Sequence, residues 1–165
     1  MQKKPIHALI IAALSTTLST AALAMDTPKP DPKDPEKKSA VDEPLAAARA
    51  AIAREDWTAA RKLLRAEVER HPRSADAHNL YAYAMRKGPD PQMDEVFRHY
   101  NEALRLDPNH RAAREYLGEA YLMTGNVAKA KELLAELGRL CTAGCVEQAA
   151  LQRSISTFER QHAAK

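Results

Sequence analysis

What this chain has little of narrows it first. Only five of its 165 residues are glycine, which leaves no glycine-rich loop to cradle a phosphate. β-Branched residues are sparse, and no stretch alternates apolar and polar with period two, so a sheet protein is excluded. The formal charge is +3, and subtracting Lys3 and Lys4 of the leader described below leaves +1. A balance so close to zero argues against nucleic acid as a partner, since nucleic acid favours dense basic patches. Beyond the N-terminus no apolar run approaches the roughly 18–20 residues of a membrane-spanning helix. His71, His78, His99, His110 and His162 form no H-x-x-x-H or H-E-x-x-H pair, and solvent or helix ends are their expected places. Ser154 and Ser156 read as a packing and a surface residue, and no Ser-His-Asp set follows from spacing. No catalytic residue, metal ligand or cofactor is assigned, and an enzyme has nothing to rest on.

What is present begins with a leader. Lys3 and Lys4 form a basic start, Ala8 to Leu18 an apolar stretch, and Ala22-Leu23-Ala24 an A-x-A cleavage site. Residues 1–24 therefore read as a secretory signal peptide, too short for a lasting membrane span, and the mature chain is expected to be exported, periplasmic or secreted. Residues 25–40, MDTPKPDPKDPEKKSA, hold four prolines among lysines and acids. With almost no apolar surface to offset the entropy of ordering, they read as an extended, disordered tether. The domain proper is expected over 41–161.

The best-defined stretch is Arg111–Leu134, RAAREYLGEAYLMTGNVAKAKELL. Leu117, Gly118 and Tyr121 share one face of a predicted helix, and Gly125-Asn126 stops it, both residues tolerating a left-handed backbone. Val127, Ala130, Leu133 and Leu134 then mark a second helix. Small Gly118 and Ala130 should let the two backbones approach closely. Copies lie upstream. Pro72 and Pro108 are 36 residues apart, near the period of one helical-repeat class. Tyr81, Ala82 and Met85 match Leu117, Gly118 and Tyr121, while Ala48, Trp57, Ala60 and Leu64 give a degenerate first copy. Asp56-Trp57 opens the second helix, with an acid where the helix dipole favours it, and the expected caps are Ser74 or Asp76 for the third, Asp90 with Pro91 for the fourth, and Asn109 for the fifth. Insertions fall in Lys87–Pro91, a turn where they cost least.

This register resembles the tetratricopeptide repeat family, with repeats near 41–74, 75–110 and 111–142. The resemblance implies an all-α, right-handed α-solenoid of three helix pairs whose concave surface is lined by the first helix of each pair. Mapped here, that surface takes Leu45, Arg49, Ile52 and Ala53 from the first repeat. The second gives Asn79, Tyr83 and Arg86, and the third Glu115, Glu119, Leu122 and Met123. Tyr83, Leu122 and Met123 lie off the core stripe and are expected to be exposed, as suits a peptide or partner helix. Some members of the family clamp a ligand carboxylate with basic and asparagine residues; Leu45, Tyr83, Glu115 and Glu119 depart from that pattern.

After the third repeat, Ala150, Leu151, Ile155 and Phe158, with Val146 at their start, make an apolar stripe on a helix near 145–160. A solenoid exposes the apolar end of its last repeat unless something covers it, and this helix reads as that cap. Gln161–Lys165 should fray. Cys141 and Cys145 are the only cysteines, in a chain bound for an oxidising compartment. Gly144 lets the chain turn between them, so a structural disulfide pinning the cap is the first reading. A thiol-redox or metal-handling accessory protein acting through the same two residues is the alternative. The leading expectation is a non-catalytic periplasmic adaptor with a protein or peptide partner in the cell envelope, no nucleic acid, and no stable membrane insertion once the leader is cleaved. Self-association through stacked solenoid ends is a third class.

Overall fold

A computed structural model describes residues 45–163, and among these run seven helices and no strand. The inferred signal peptide 1–24 and tether 25–40 lie outside the described residues, as do residues 41–44. Helix α1 is described over 45–53, and the others are α2 (Trp57–Arg70), α3 (Ala75–Lys87), α4 (Met93–Leu106), α5 (Arg111–Met123), α6 (Val127–Leu140) and α7 (Val146–His162). None of the described helices is long and apolar enough to cross a membrane.

Local chemistry sets the helix starts. The side chains of Asp56, Ser74 and Asn126 each accept from the backbone N–H three residues on, satisfying a donor that the first helical turn leaves unpaired. Two expected caps differ. Helix α4 starts at Met93 behind Gln92, which makes no side-chain cap, because Asp90 sits at φ 55° in the preceding turn. Helix α5 is capped by His110 rather than Asn109: its Nδ1 accepts from the Ala113 N–H at 3.2 Å. Asn126 caps α6 with φ −88°, leaving Gly125 alone in the left-handed region at φ 78°.

The helices pair as hairpins: α3 packs on α4 and α5 on α6, while α2 packs on α3 and α4 on α5. Helix α3 also touches α5, and α5 touches α7, whereas α2, α4 and α6 make no such mutual contacts among the described residues. Closer packing along one side curves the row, so α3, α5 and α7 line its inside. The core divides accordingly. Around α1–α3 it is mostly alanine with Leu45, Leu64 and Leu80, so helices approach closely there. Around α3–α7 it is built from larger groups, including Tyr100, Val96, Leu117, Leu137, Leu151 and Ile155. Half-buried Tyr81 packs against both.

Helix α7 packs on α5 and α6, the place the first helix of a further repeat would take. A Cβ added to Gly118 would lie 2.6 Å from a Leu151 methyl, so the missing side chain at Gly118 makes room for α7. Val146 does not join the apolar stripe; it is 79% exposed, before the helix has turned inward. The helix runs on through His162, whose ring stacks on Phe158 at 3.9 Å, beyond the expected end near 160.

Two histidines are neither solvent-facing nor at helix ends. His78 on α3 and His99 on α4 are buried, with their Nδ1 atoms 2.8 Å apart. Their protons follow from the partners. The Pro72 carbonyl, 3.1 Å from His78 Nε2, can only accept, so that nitrogen carries the proton and His78 Nδ1 accepts. His99 Nδ1 therefore donates, and His99 Nε2 accepts from the Arg98 guanidinium at 3.3 Å. Burial first, then the nearby Arg98 charge and the repulsion that a protonated His78 would add, pushes the His99 pKa down to about 4.

Candidate concave face

Asn79, Tyr83 and Arg86 fall four and three residues apart and so share one face of α3; Glu115, Glu119, Leu122 and Met123 do the same on α5. Arg86 is the centre of what they build. It is buried, and its Nη2 donates to Glu119 Oε2 at 2.7 Å while Nε donates to the Tyr100 hydroxyl at 3.3 Å. Its guanidinium lies 5.5 Å from the Tyr83 ring centre and 5.9 Å from that of Tyr116, within cation–π range. Glu119 takes a second bond at its other oxygen, from Ser154 Oγ of α7 at 3.1 Å. One carboxylate thus ties α3, α5 and α7 together, and Ser154 is more than packing. Tyr83 and Tyr116 sit 4.7 Å apart on the inner row, and Trp57 at the start of α2 stands edge-on to Tyr83 at 6.2 Å.

The expected site residues therefore separate by exposure. Met123 is 53% exposed and Tyr83 half-buried. Leu122, expected to be exposed, is only 7% exposed, because α7 covers it. Leu45 and Asn79 are buried as well, and Asn79 Oδ1 has no hydrogen-bond partner among the described residues. Arg49 stays in solvent 3.6 Å from Asp76, whose other oxygen accepts from His110 Nε2 at 3.1 Å. That bond, with Arg49 adding to it, holds the Asp76 carboxyl below its usual range. Glu115 is half-buried; burial first, then the Glu119 and Glu147 charges, raises its pKa to about 7.

Where α5 ends against α7, a cleft of about 630 Å³ opens, lined by Leu122 and Met123 of α5 and by Arg153, Ser154, Thr157 and Phe158 of α7. Arg153 lies off the apolar stripe of Ala150, Leu151, Ile155 and Phe158, so the sequence pattern alone turns it outward. Its place on the inner row follows only from α7 lying beside α5. Tyr116 was missed for a simpler reason, being next to the core stripe rather than on the mapped positions; its 33-residue offset from Tyr83 was the available signal.

Cys141 ends α6 and Cys145 begins α7, and their sulfurs are bonded across a turn in which Gly144 has φ 81°. The Cα atoms are 5.6 Å apart, so the bridge sits at the junction with α7. No group of three or more metal-ligating side chains occurs among the described residues.

Helical hairpins stacked in a curved row, with the inner helices carrying the polar and aromatic side chains, define an α-solenoid. Residues 45–140 are tetratricopeptide repeats: family models described as Tetratricopeptide repeat match 45–92 and 92–140. Among solved structures the chain is similar to the TPR2B-domain:pHsp70 complex of yeast Sti1, with 21% identity and a TM-score of 0.61, over 75% of this chain and 96% of that one. It is also similar to the type III secretion translocator chaperone SycD of Yersinia enterocolitica, in an alternative dimer, with 16% identity and a TM-score of 0.62, over 74% and 91%. At these identities the likeness concerns the fold. No curated protein matches the chain.

Proposed function

We propose that this chain is a non-catalytic adaptor of the cell envelope that holds a segment of a partner protein on its concave face. The observation that carries this reading is the inner row itself: Tyr83, Tyr116 and Met123 present apolar surface beside a framework locked by Arg86, Glu119 and Ser154. A rigid framework lowers the ordering cost of binding, and aromatic and Met side chains supply contact area that adapts to a partner. The similar structures are those of a chaperone and of a domain:pHsp70 complex, which accords with protein binding. The basic, then apolar, then A-x-A leader supports export to the periplasm. A photo-crosslinking side chain placed at Tyr83 or Met123 should capture one discrete partner in intact cells, and one at Arg65 on α2 should not. Equal capture from all three would defeat the concave-face assignment. Export is tested separately: residues 1–24 fused to a phosphatase that folds only in an oxidising compartment should yield active enzyme.

The thiol-redox or metal-handling alternative gains no support from the cysteine geometry. Cys141 is buried, which keeps an attacking thiolate from its sulfur, and the bond joins two helices at their junction. Thiol titration of the native protein separates the readings; two readily reduced, reactive thiols would favour the alternative.

A further inference from the structure

The concave face carries both signs of charge but not evenly. Toward its middle, Glu119 is neutralised by Arg86 at 2.7 Å. Glu115, eight residues before Met123, lies about 12 Å back along α5 at the helical rise. At the α5–α7 end no carboxylate lines the cleft, nor the smaller hollow that shares Arg153 and Thr157 and adds Arg160. Arg153 and Arg160 are both exposed, and neither has an ion-pair partner among the described residues. Most other exposed arginines and lysines on the helices that pair do so with an acid on the same or a neighbouring helix, as Arg65, Arg105, Lys129 and Lys131 show. The cleft that Arg153 lines is also lined by Met123, 53% exposed, and half-buried Phe158.

Resting on the concave-face reading, we propose that this cleft is the docking point for an acidic partner segment, with an apolar side chain entering between Leu122, Met123 and Phe158 and flanking carboxylates meeting Arg153 and Arg160. The two parts act differently. The apolar side chain displaces water from the apolar surface of Met123 and Phe158, and Met123 adjusts its three torsions to the shape offered. The guanidiniums choose the sign of the segment and donate to carboxylate oxygens along their planar edges. A cationic segment would bring like charges together there, relieved at Arg153 only by half-buried Glu115. An acidic one lacking apolar side chains would gain only screened surface attraction.

Fluorescence anisotropy of the purified protein with three labelled synthetic peptides tests this: one alternating aspartate with leucine, one lysine with leucine, and one aspartate with serine. The first should bind at least about tenfold more tightly than either other, and its affinity should fall as salt rises. Met123→Glu should weaken it by about tenfold or more, and Arg153→Glu should shift preference toward the lysine peptide. Both side chains are exposed, so both variants should keep the parent thermal midpoint by circular dichroism. Equal binding of the lysine peptide, undiminished binding by both variants, or no binding of the aspartate–leucine peptide at millimolar concentration would overturn the proposal. Failure here is distinguishable from failure of the concave-face reading. If crosslinking from Tyr83 persists in Met123→Glu, the face still binds and only this cleft is wrong.

Discussion

His78 and His99 share a hydrogen-bond chain whose acceptors leave room for one proton on each ring and no more. A second proton on His78 would set two donors face to face, and one on His99 would confront the Arg98 guanidinium; Glu95, 4.0 Å from His99 Nε2, and Glu102 offset this only in part. The unfolded chain takes up a histidine proton near pH 6.5, but the folded chain takes it at His99 only near 4. The unfolded state therefore binds more protons in between, so this stabilisation is full above pH 6.5 and declines as pH falls through 4. By pH 4 the loss is on the order of 3 kcal/mol. Glu115 runs the other way. Its pKa is raised to about 7, so its contribution is full below pH 4.5 and is lost as pH rises through 7. Urea midpoints between pH 4 and 8 should show His99→Asn, whose amide still donates to His78, with a flattened acid limb. Glu115→Gln should be about 1 kcal/mol more stable than the parent above pH 7, allowing for solvent screening. Parallel profiles for parent and His99→Asn would refute the proton account.

At the scale of the element, the first hairpin makes the same turn as the third with a poorer residue. In the third, the Asn126 N–H donates to Tyr121 O at 2.8 Å around Gly125; in the first, the Asp56 N–H donates to Ala51 O at 2.9 Å around Glu55. Gly125 has φ 78° and Glu55 has φ 57°, so the degenerate copy keeps the backbone and lacks the glycine. Hence it read weakly as sequence: the motif residue was replaced, while Ala48, Ala60 and Leu64 kept the packing. A left-handed backbone costs an L-residue roughly 1–2 kcal/mol, and glycine's larger unfolded-state entropy returns part of that. Glu55→Gly should therefore stabilise the chain by about 0.5–1 kcal/mol, read as a higher urea midpoint at unchanged slope. Glu55→Ala, which keeps the Cβ clash, should not. A Glu55→Gly variant no more stable than Glu55→Ala would show the turn to be unstrained.

For the whole molecule, helix count and hairpin register were legible because Leu117, Gly118, Tyr121, Gly125 and Ala130 bear on neighbours close in sequence. The candidate site was less so. Whether Leu122 is covered, or Glu119 is bonded by Ser154, depends on a contact across 35 residues that no local period encodes. The His78–His99 pair escaped for the same reason, its members standing on different helices at a spacing that matches no ligand motif. That long-range dependence falls on α7, which makes it the place to test how the row holds together. Each hairpin of a solenoid is stabilised chiefly by its neighbours, so damage should spread inward and weaken with distance. Leu151 and Ile155 are the α7 side chains fully buried in the larger core. Replacing both with alanine should cost about 4–8 kcal/mol, a large part of the 5–15 kcal/mol typical of a domain. Native-state hydrogen exchange should then show α5 and α6 losing most of their protection, α4 less, and α2 and the first half of α3 least. The Cys141–Cys145 bridge keeps α7 tethered, so the loss reports uncovering rather than departure. Equal loss of protection from α2 to α6 would mean that the row unfolds as one unit, and that α7 supports it all rather than closing its end.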